Sequence, residues 1–348
     1  MNPNKRLTRH VNRLLIRSTN WIGDAVMTTP AVRAIRHNFP GAHISLLAKP
    51  WVAPVFDHSP HVDEIIGFEA NGRHKGFNGT IRLARDLRTY RFAAAIFLQN
   101  AIEAALIAFL AAIPSRIGFD TDARRLLLTH PVRCTKAIKS IHQTGYYLKL
   151  LEGAGLVTGS PSLELHVGAQ DRHEAEQILS THGITPGHRV VGLNPSATFG
   201  PAKQWFPERY AALGDHLQKD LDATIVIFGG PSDRALGQTI SGMMAAPAID
   251  LSGRTSLGEA MALIDRCDGF VTNDSGLMHV AAALNTPLVA IFGSTNSTTT
   301  SPYSPTSRIV RVPIECSPCM QPVCPLGHMN CMKWVSVEMV FDAVKGLM

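Results

Sequence analysis

The run Arg17-Ser18-Thr19-Asn20-Trp21-Ile22-Gly23-Asp24 carries a single carboxylate, Asp24, between an apolar stretch, Leu14-Leu15-Ile16, and a helical one, Ala31-Val32-Arg33-Ala34-Ile35-Arg36. A carboxylate at a strand-to-helix turn has two uses. It can cap the helix by accepting backbone N–H groups. Held ionised near the positive end of the helix, it can also take a proton from a substrate hydroxyl. Taken alone, the segment fits the cap better. Gly23 beside it allows backbone to approach a ligand closely.

Three stretches of the second half have the makings of a nucleotide site. Gly192-Leu193-Asn194-Pro195 reads as a strand that runs into small residues and ends at Lys203-Gln204-Trp205; such a loop exposes N–H groups, and Lys203 can neutralise a phosphate. Phe228-Gly229-Gly230-Pro231-Ser232-Asp233 is a Gly-Gly turn followed by an acid, which suits ribose hydroxyls or the first turn of a helix equally well. Val271-Thr272-Asn273-Asp274-Ser275-Gly276-Leu277-Met278-His279 joins a strand to a helix whose first N–H groups, at Gly276 and Leu277, can hold a diphosphate, with His279 one turn in.

Two further groups raise the question of a metal. Cys316, Cys319, Cys324 and Cys331 are spaced C-x2-C-x4-C-x6-C with His328 among them. That is dense enough for zinc. Pro318, Pro322 and Pro325 punctuate a loop that can equally just pack its thiols, and no metal is assigned there. Asp120-Thr121-Asp122 spells D-x-D but lies in the other half from the phosphate-type loops, and it too is left without a metal. Cys134 and Cys267 read as ordinary core or surface residues.

The elements that must position these residues alternate strand and helix twice. Strands are expected near 13–16, 44–47, 63–66, 93–98 and 115–118, with helices near 30–38, 51–57, 78–90, 101–112 and 140–153. A Gly-Ser-Pro stretch, Gly153 to Pro161, reads as a linker. Strands then follow near 189–193, 223–228, 268–272 and 287–291, with helices near 171–182, 207–219, 232–244, 256–265 and 275–284. A last helix, 336–346, is expected to return to the first domain. The expected class is α/β, with doubly wound domains over 1–160 and 161–335.

Composition agrees with a folded chain of two domains: 348 residues, 45% hydrophobic and 17% charged. Residues 1–13 read as a polar, basic lead-in. No secretory leader is visible, and the most apolar stretch, Phe92 to Ile113, is broken by Gln99, Asn100 and Glu103, so a soluble, intracellular protein is expected. The net charge of +6 is uneven: residues 1–170 carry 21 Lys and Arg against 11 Asp and Glu, and the remainder 12 against 16. The basic half suits a polyanion such as a phosphorylated glycolipid, an anionic membrane or a nucleic acid. Recognisable nucleic-acid motifs are missing, and none of G-x-G-x-x-G after the first strand, G-x-x-x-x-G-K-[ST] or G-x-S-x-G occurs. Nicotinamide dehydrogenases, P-loop NTPases and α/β-hydrolases thereby lose their main support.

The ordered set Arg17…Ile22-Gly23-Asp24…Thr28-Thr29-Pro30-Ala31, Gly200-Pro201-Ala202-Lys203-Gln204-Trp205 and Asn273-Asp274-Ser275-Gly276-Leu277-Met278-His279, together with the Cys-rich run, resembles the ADP-heptose:lipopolysaccharide heptosyltransferases of glycosyltransferase family nine. The resemblance spans roughly residues 13 to 345. It implies the GT-B architecture, two Rossmann-like domains facing a cleft, with the acceptor on the N-terminal domain and the nucleotide sugar on the C-terminal one. It implies Asp24 as general base and Lys203 on the donor phosphates. Asp233 falls where the family has an acid on the adenosine ribose, usually Glu. Asp274, Ser275, Gly276, Leu277 and His279 fall on the segment holding heptose and diphosphate, and Asn20, Trp21 and Gly23 in the loop beside the base. Phe206 departs from the proline usual after the tryptophan. The implied reaction is an inverting displacement completed by domain closure. No cofactor is required, with Mg2+ at most a donor counter-ion. The implied partners are ADP-heptose, the lipopolysaccharide inner core and, peripherally, the anionic inner leaflet of the inner membrane, with no nucleic acid.

Overall fold

The computed structural model describes residues 11–348; most of the expected lead-in, residues 1–10, lies outside them. The chain divides into two compact units, Met1–His166 and Val167–Met348.

The first unit holds β1 (Arg13–Arg17), β2 (His43–Ala48), β3 (Glu64–Gly67), β4 (Ala94–Phe97), β5 (Ser115–Phe119) and β6 (His130–Val132), in the order β3-β2-β1-β4-β5-β6. The second holds β7 (Arg189–Asn194), β8 (Ala223–Ile227), β9 (Ile249–Asp250), β10 (Gly269–Asn273), β11 (Leu288–Ile291) and β12 (Ser307–Val310), in the order β12-β11-β10-β7-β8-β9. Every pairing is parallel, for example Leu15 with Ser45 and with Ala95, and Val271 with Leu193 and with Val289. Counted from its own first strand, each sheet has the same order, so each unit is the same doubly wound fold. The central strands are continuous apolar runs, as a sheet covered on both faces requires. In β7, Gly192 leaves room for Phe228 and Phe270 to meet edge to face at 5.4 Å; a Cβ there would lie 2.5 Å from Phe270.

Strand order reverses between β1 and β4 and between β7 and β10. Such a switch point opens a crevice at the carboxyl ends of the strands. The stretches singled out from sequence lie there: residues 18–24 follow β1, residues 195–206 follow β7, and Asp274-Ser275 follow β10.

Several expectations are corrected. The segment carrying Asp24 is itself a helix, Ile22–Met27, and a second helix, Thr29–Asn38, follows at once. The helix expected at 51–57 is a single turn, Ala53–Val55. The edge strands β6, β9 and β12 were not expected, because their sequences carry no sustained apolar run. The Gly-Ser-Pro stretch lies along the first unit, where Arg33 donates to Ser160 O and Ser162 O and pairs with Glu164 at 2.5 Å, and the two units part at His166/Val167. The last helix, Val337–Lys345, belongs to the second unit. It packs on the helix Pro207–Leu221 and on β11, with Val340 and Val344 in the core of the second unit. Among the described residues no helix is long and apolar enough to cross a membrane.

Candidate active site

In the first unit, β1 delivers Arg17 into the interior, 2% exposed. Its guanidinium donates to Ser18 O at 2.5 Å and to Asn20 Oδ1 at 2.8 Å, and lies 5.0 Å from the Phe68 ring centre. Burial pushes its pKa down to about 10, against the charge of Glu103, so it stays a cation at neutral pH and fixes the loop that carries Asn20. The Trp51 indole donates to Asn20 O at 3.0 Å. Trp21, 61% exposed, takes the N-cap position of the helix Ile22–Met27. Asp24 therefore does not stand at the N-cap position itself. It stands half-buried in the first turn. The hydroxyl of buried Tyr147 is raised well above the ordinary tyrosine range, first by burial and then by the charge of Asp24.

The loop after β4 meets this one, with Leu98 N and Gln99 N donating to Arg17 O. It is held by a second buried cation: Arg124 donates to Phe119 O at 2.8 Å, Gln99 O at 2.5 Å and Asn100 Oδ1 at 2.7 Å, and Asn100 Nδ2 donates to Tyr146 OH at 2.5 Å. Both aspartates of the D-x-D run have local structural parts. Asp120 accepts from Cys134 N at 2.9 Å and lies 3.6 Å from Arg125, and Asp122 turns the chain with φ 51°.

In the second unit, the loops after β7 and β10 are tied into one platform. Asn194 Nδ2 donates to Thr272 Oγ1 at 2.8 Å and to Ser275 Oγ at 2.7 Å. Trp205 N donates to Asn273 Oδ1 at 3.1 Å, and Asn273 Nδ2 to Pro195 O at 2.7 Å. Lys203 closes the turn Pro201–Lys203 and pairs with buried Asp274, Nζ to Oδ2 at 2.7 Å. Thr295 Oγ1 donates to the same oxygen at 2.6 Å, and the Phe199 ring lies 5.0 Å from the ammonium. The helix Gly276–Leu284 starts here without a side-chain cap from Ser275, whose hydroxyl accepts from Asn194 instead. Its first-turn N–H groups, from Gly276 and Leu277 on, thus face an end suited to an anion. His279 is buried one turn in, 4% exposed. The structure thus brings Lys203, Asp274, Ser275, Gly276, Leu277 and His279 together within this unit.

Asp233 lies in the neighbouring loop after β8. Its Oδ2 accepts from Gly230 N at 2.7 Å, so the local helix-start reading holds for that oxygen and fixes the carboxylate on the Gly-Gly turn. The Cys-rich loop braces the phosphate-type loop. Ala202 N donates to Pro322 O at 3.0 Å, Met320 N to Ser294 O at 2.8 Å and Ser317 Oγ to Gly293 O at 2.7 Å. Its four cysteines and His328 border one small cavity with Ala202 and Ser294. Burial and the other three thiols push Cys331 up, while the backbone N–H of Met329 and its neighbours lower Cys324. Among the described residues no group of three or more His, Cys, Asp or Glu is arranged to hold a metal ion.

The roles of Arg124, Asn100, Asn194, Asn273 and Thr295, which orient the loops, were not legible in the sequence. The available signal was a polar residue at the carboxyl end of an apolar strand, as at Asn194 and Asn273.

Comparison with known proteins agrees with this arrangement. The model of glycosyltransferase family 9 (heptosyltransferase) matches residues 80–330. Lipopolysaccharide heptosyltransferase 2 of Escherichia coli K12 is 31% identical over 313 residues, 86% of this chain and 88% of that protein. Lipooligosaccharide heptosyltransferase 2 of Haemophilus influenzae is 32% identical over 310 residues, with the same coverage of each. Among solved structures, the ADP-heptose lipopolysaccharide heptosyltransferase II of E. coli superimposes with a TM-score of 0.81 at 28% identity, covering 96% of this chain and 98% of that one. A family 9 glycosyltransferase of Veillonella parvula gives 0.88 at 26% identity, covering 97% of each. With two doubly wound units, the motif loops at their switch points and relatives matched over nearly its whole length, the chain belongs to glycosyltransferase family 9, the heptosyltransferases.

Proposed function

We propose that this glycosyltransferase moves L-glycero-D-manno-heptose from ADP-heptose to the first heptose of the lipopolysaccharide inner core, with inversion, at the cytoplasmic face of the inner membrane. The observation that carries the reading is the Lys203–Asp274 pair set beside the side-chain-uncapped N-terminus of the helix Gly276–Leu284. An ammonium and free-ended N–H groups at one switch point suit a diphosphate leaving group. Asp233, on the turn after β8, is assigned to the ribose. Asp274 and His279 are assigned to the sugar and diphosphate.

In this reading the acceptor oxygen attacks the anomeric carbon as the bond from that carbon to the ADP oxygen breaks. Asp24 takes the hydroxyl proton, and Asn20, Trp21 and Gly23 shape the loop around it. The departing charge is met by Lys203 and the helix N-terminus, so no metal is required; Mg2+ has a place only as a counter-ion to the donor. The phosphorylated acceptor is assigned to the basic first unit.

The test is ADP release from ADP-heptose with acceptors carrying no, one or two core heptoses, for the wild type and Asp24→Ala. Turnover on the one-heptose acceptor alone, reduced about 10²–10⁴-fold in Asp24→Ala, is expected. Turnover on the zero-heptose acceptor moves the assignment to another core position. Absence of turnover on all three overturns the donor or acceptor assignment.

A further inference from the structure

The helix Ile102–Leu110 has the sequence Ile-Glu-Ala-Ala-Leu-Ile-Ala-Phe-Leu, with one charged residue in nine. A helix apolar on every side belongs in a core or against lipid. This one buries Ala104, Ala105, Ile107 and Ala108, yet leaves Ile102 and Phe109, on one face at i and i+7, each 50% exposed. The turn Arg124–Leu127 packs beside it and presents Leu126, 94% exposed. Arg116 joins the two: its Nε donates to Leu127 O at 2.7 Å and its guanidinium lies 5.4 Å from the Phe109 ring centre. Three large apolar side chains are therefore presented by neighbouring elements, where single scattered ones would be ordinary.

The surrounding charge is basic. Arg88 donates to Leu110 O, and the Arg125 side chain is 53% exposed. Residues 76–140 hold ten arginines and lysines against four acids, Asp86, Glu103, Asp120 and Asp122, a net +6 equal to that of the whole chain. Asp86 is paired with Arg73, and Asp120 lies 3.6 Å from Arg125. The patch also borders the acceptor loops, since Arg124, buried in the same turn as Leu126, holds Gln99 and Asn100, and Gln99 N donates to Arg17 O.

We propose that Ile102, Phe109 and Leu126, fringed by Arg88, Arg116 and Arg125, form the surface by which the enzyme docks on an anionic phospholipid bilayer, beside the loops that receive a lipid-anchored acceptor. Apolar side chains enter the headgroup boundary while the arginines meet lipid phosphates. This rests on the acceptor reading above, and the experiment separates the two.

Full-length protein is sedimented with phosphatidylcholine vesicles containing or lacking phosphatidylglycerol, for the wild type, Leu126→Glu and Ile102→Glu/Phe109→Glu. Thermal melts and turnover on a detergent-free core oligosaccharide serve as folding and activity controls. The expected result is binding only to the anionic vesicles, weakened roughly tenfold or more by either variant with oligosaccharide turnover retained. Equal binding by all three proteins, or none by an active wild type, overturns the surface. So does a dimer that Leu126→Glu dissolves without changing vesicle binding, which assigns the patch to a second copy. Absence of oligosaccharide turnover in the wild type counts against the acceptor reading alone, because vesicle binding is scored separately.

Discussion

Lys203 and Asp274 are bonded to each other at 2.7 Å, with Asp274 5% exposed and Lys203 14%. Breaking such a pair from one side leaves a buried charge that keeps, among the described residues, the Thr295 hydroxyl as its side-chain donor. Lys203→Met is therefore expected to cost about 2–4 kcal/mol in urea unfolding. Adding Asp274→Asn is expected to recover much of that loss while donor turnover stays low. Full recovery of turnover in the double variant would separate the pair from catalysis. Arg17 and Arg124 work differently: each donates to backbone carbonyls and one amide, Asn20 or Asn100, and so positions loops.

At the scale of elements, the phosphate-type loop depends on the Cys-rich loop across from it. Gly200 has φ 151°, and a Cβ there would lie 2.3 Å from Pro322 O. Gly200→Ala must push the two loops apart, and a destabilisation of about 1–3 kcal/mol with a raised KM for ADP-heptose is expected from thermal melts and donor titrations. The β2–β3 edge adds a pH dependence. Burial raises Asp63, but Ile44 N at 2.7 Å and Arg36 at 2.5 Å outweigh it and hold its pKa below the ordinary value of 3.8. Glu64 is likewise held below 4.5, burial being outweighed by bonds from His43, Ser45 and Tyr90. Depressed carboxylates stabilise the fold fully above their unfolded pKa values, and that contribution is lost as pH falls through the folded ones. Thermal stability is thus expected to hold above about pH 5 and to decline below about pH 4. Asp63→Asn should flatten the decline; an unchanged acid slope would remove Asp63 from the account.

At the scale of the whole molecule, positive charge sits in the first half and a slight negative excess in the second. Exposed charges are screened within about 10 Å at 0.1 M salt, whereas a partly buried contact such as Lys203 is screened less. Raising salt is expected to increase KM for a phosphorylated acceptor several-fold while KM for ADP-heptose moves less. Initial rates at two ionic strengths check this, and an equal shift in both would place acceptor affinity outside the basic half.

The alternating apolar strands and helices, the basic first half and the three stretches ending in Asp24, Lys203 and Asp274-Ser275-Gly276 were legible in the sequence, because sheet burial and strand-to-helix turns impose local patterns. The edge strands β6, β9 and β12 were not, since their short segments carry no sustained apolar run. The site itself depended on contacts distant in sequence. Lys203 meets Asp274 across 71 residues, Asn194 meets Ser275 across 81, and Trp205 N reaches Asn273 across 68. The last helix, amphipathic by sequence, has no partner written into it; the core of the second unit, through Val340 and Val344, decided where it packs. Residue type and spacing determined which chemistry this chain can offer, because they follow from the chain alone. Which groups meet depended on strand order, because only the parallel register of β7 with β10 brings their carboxyl ends side by side.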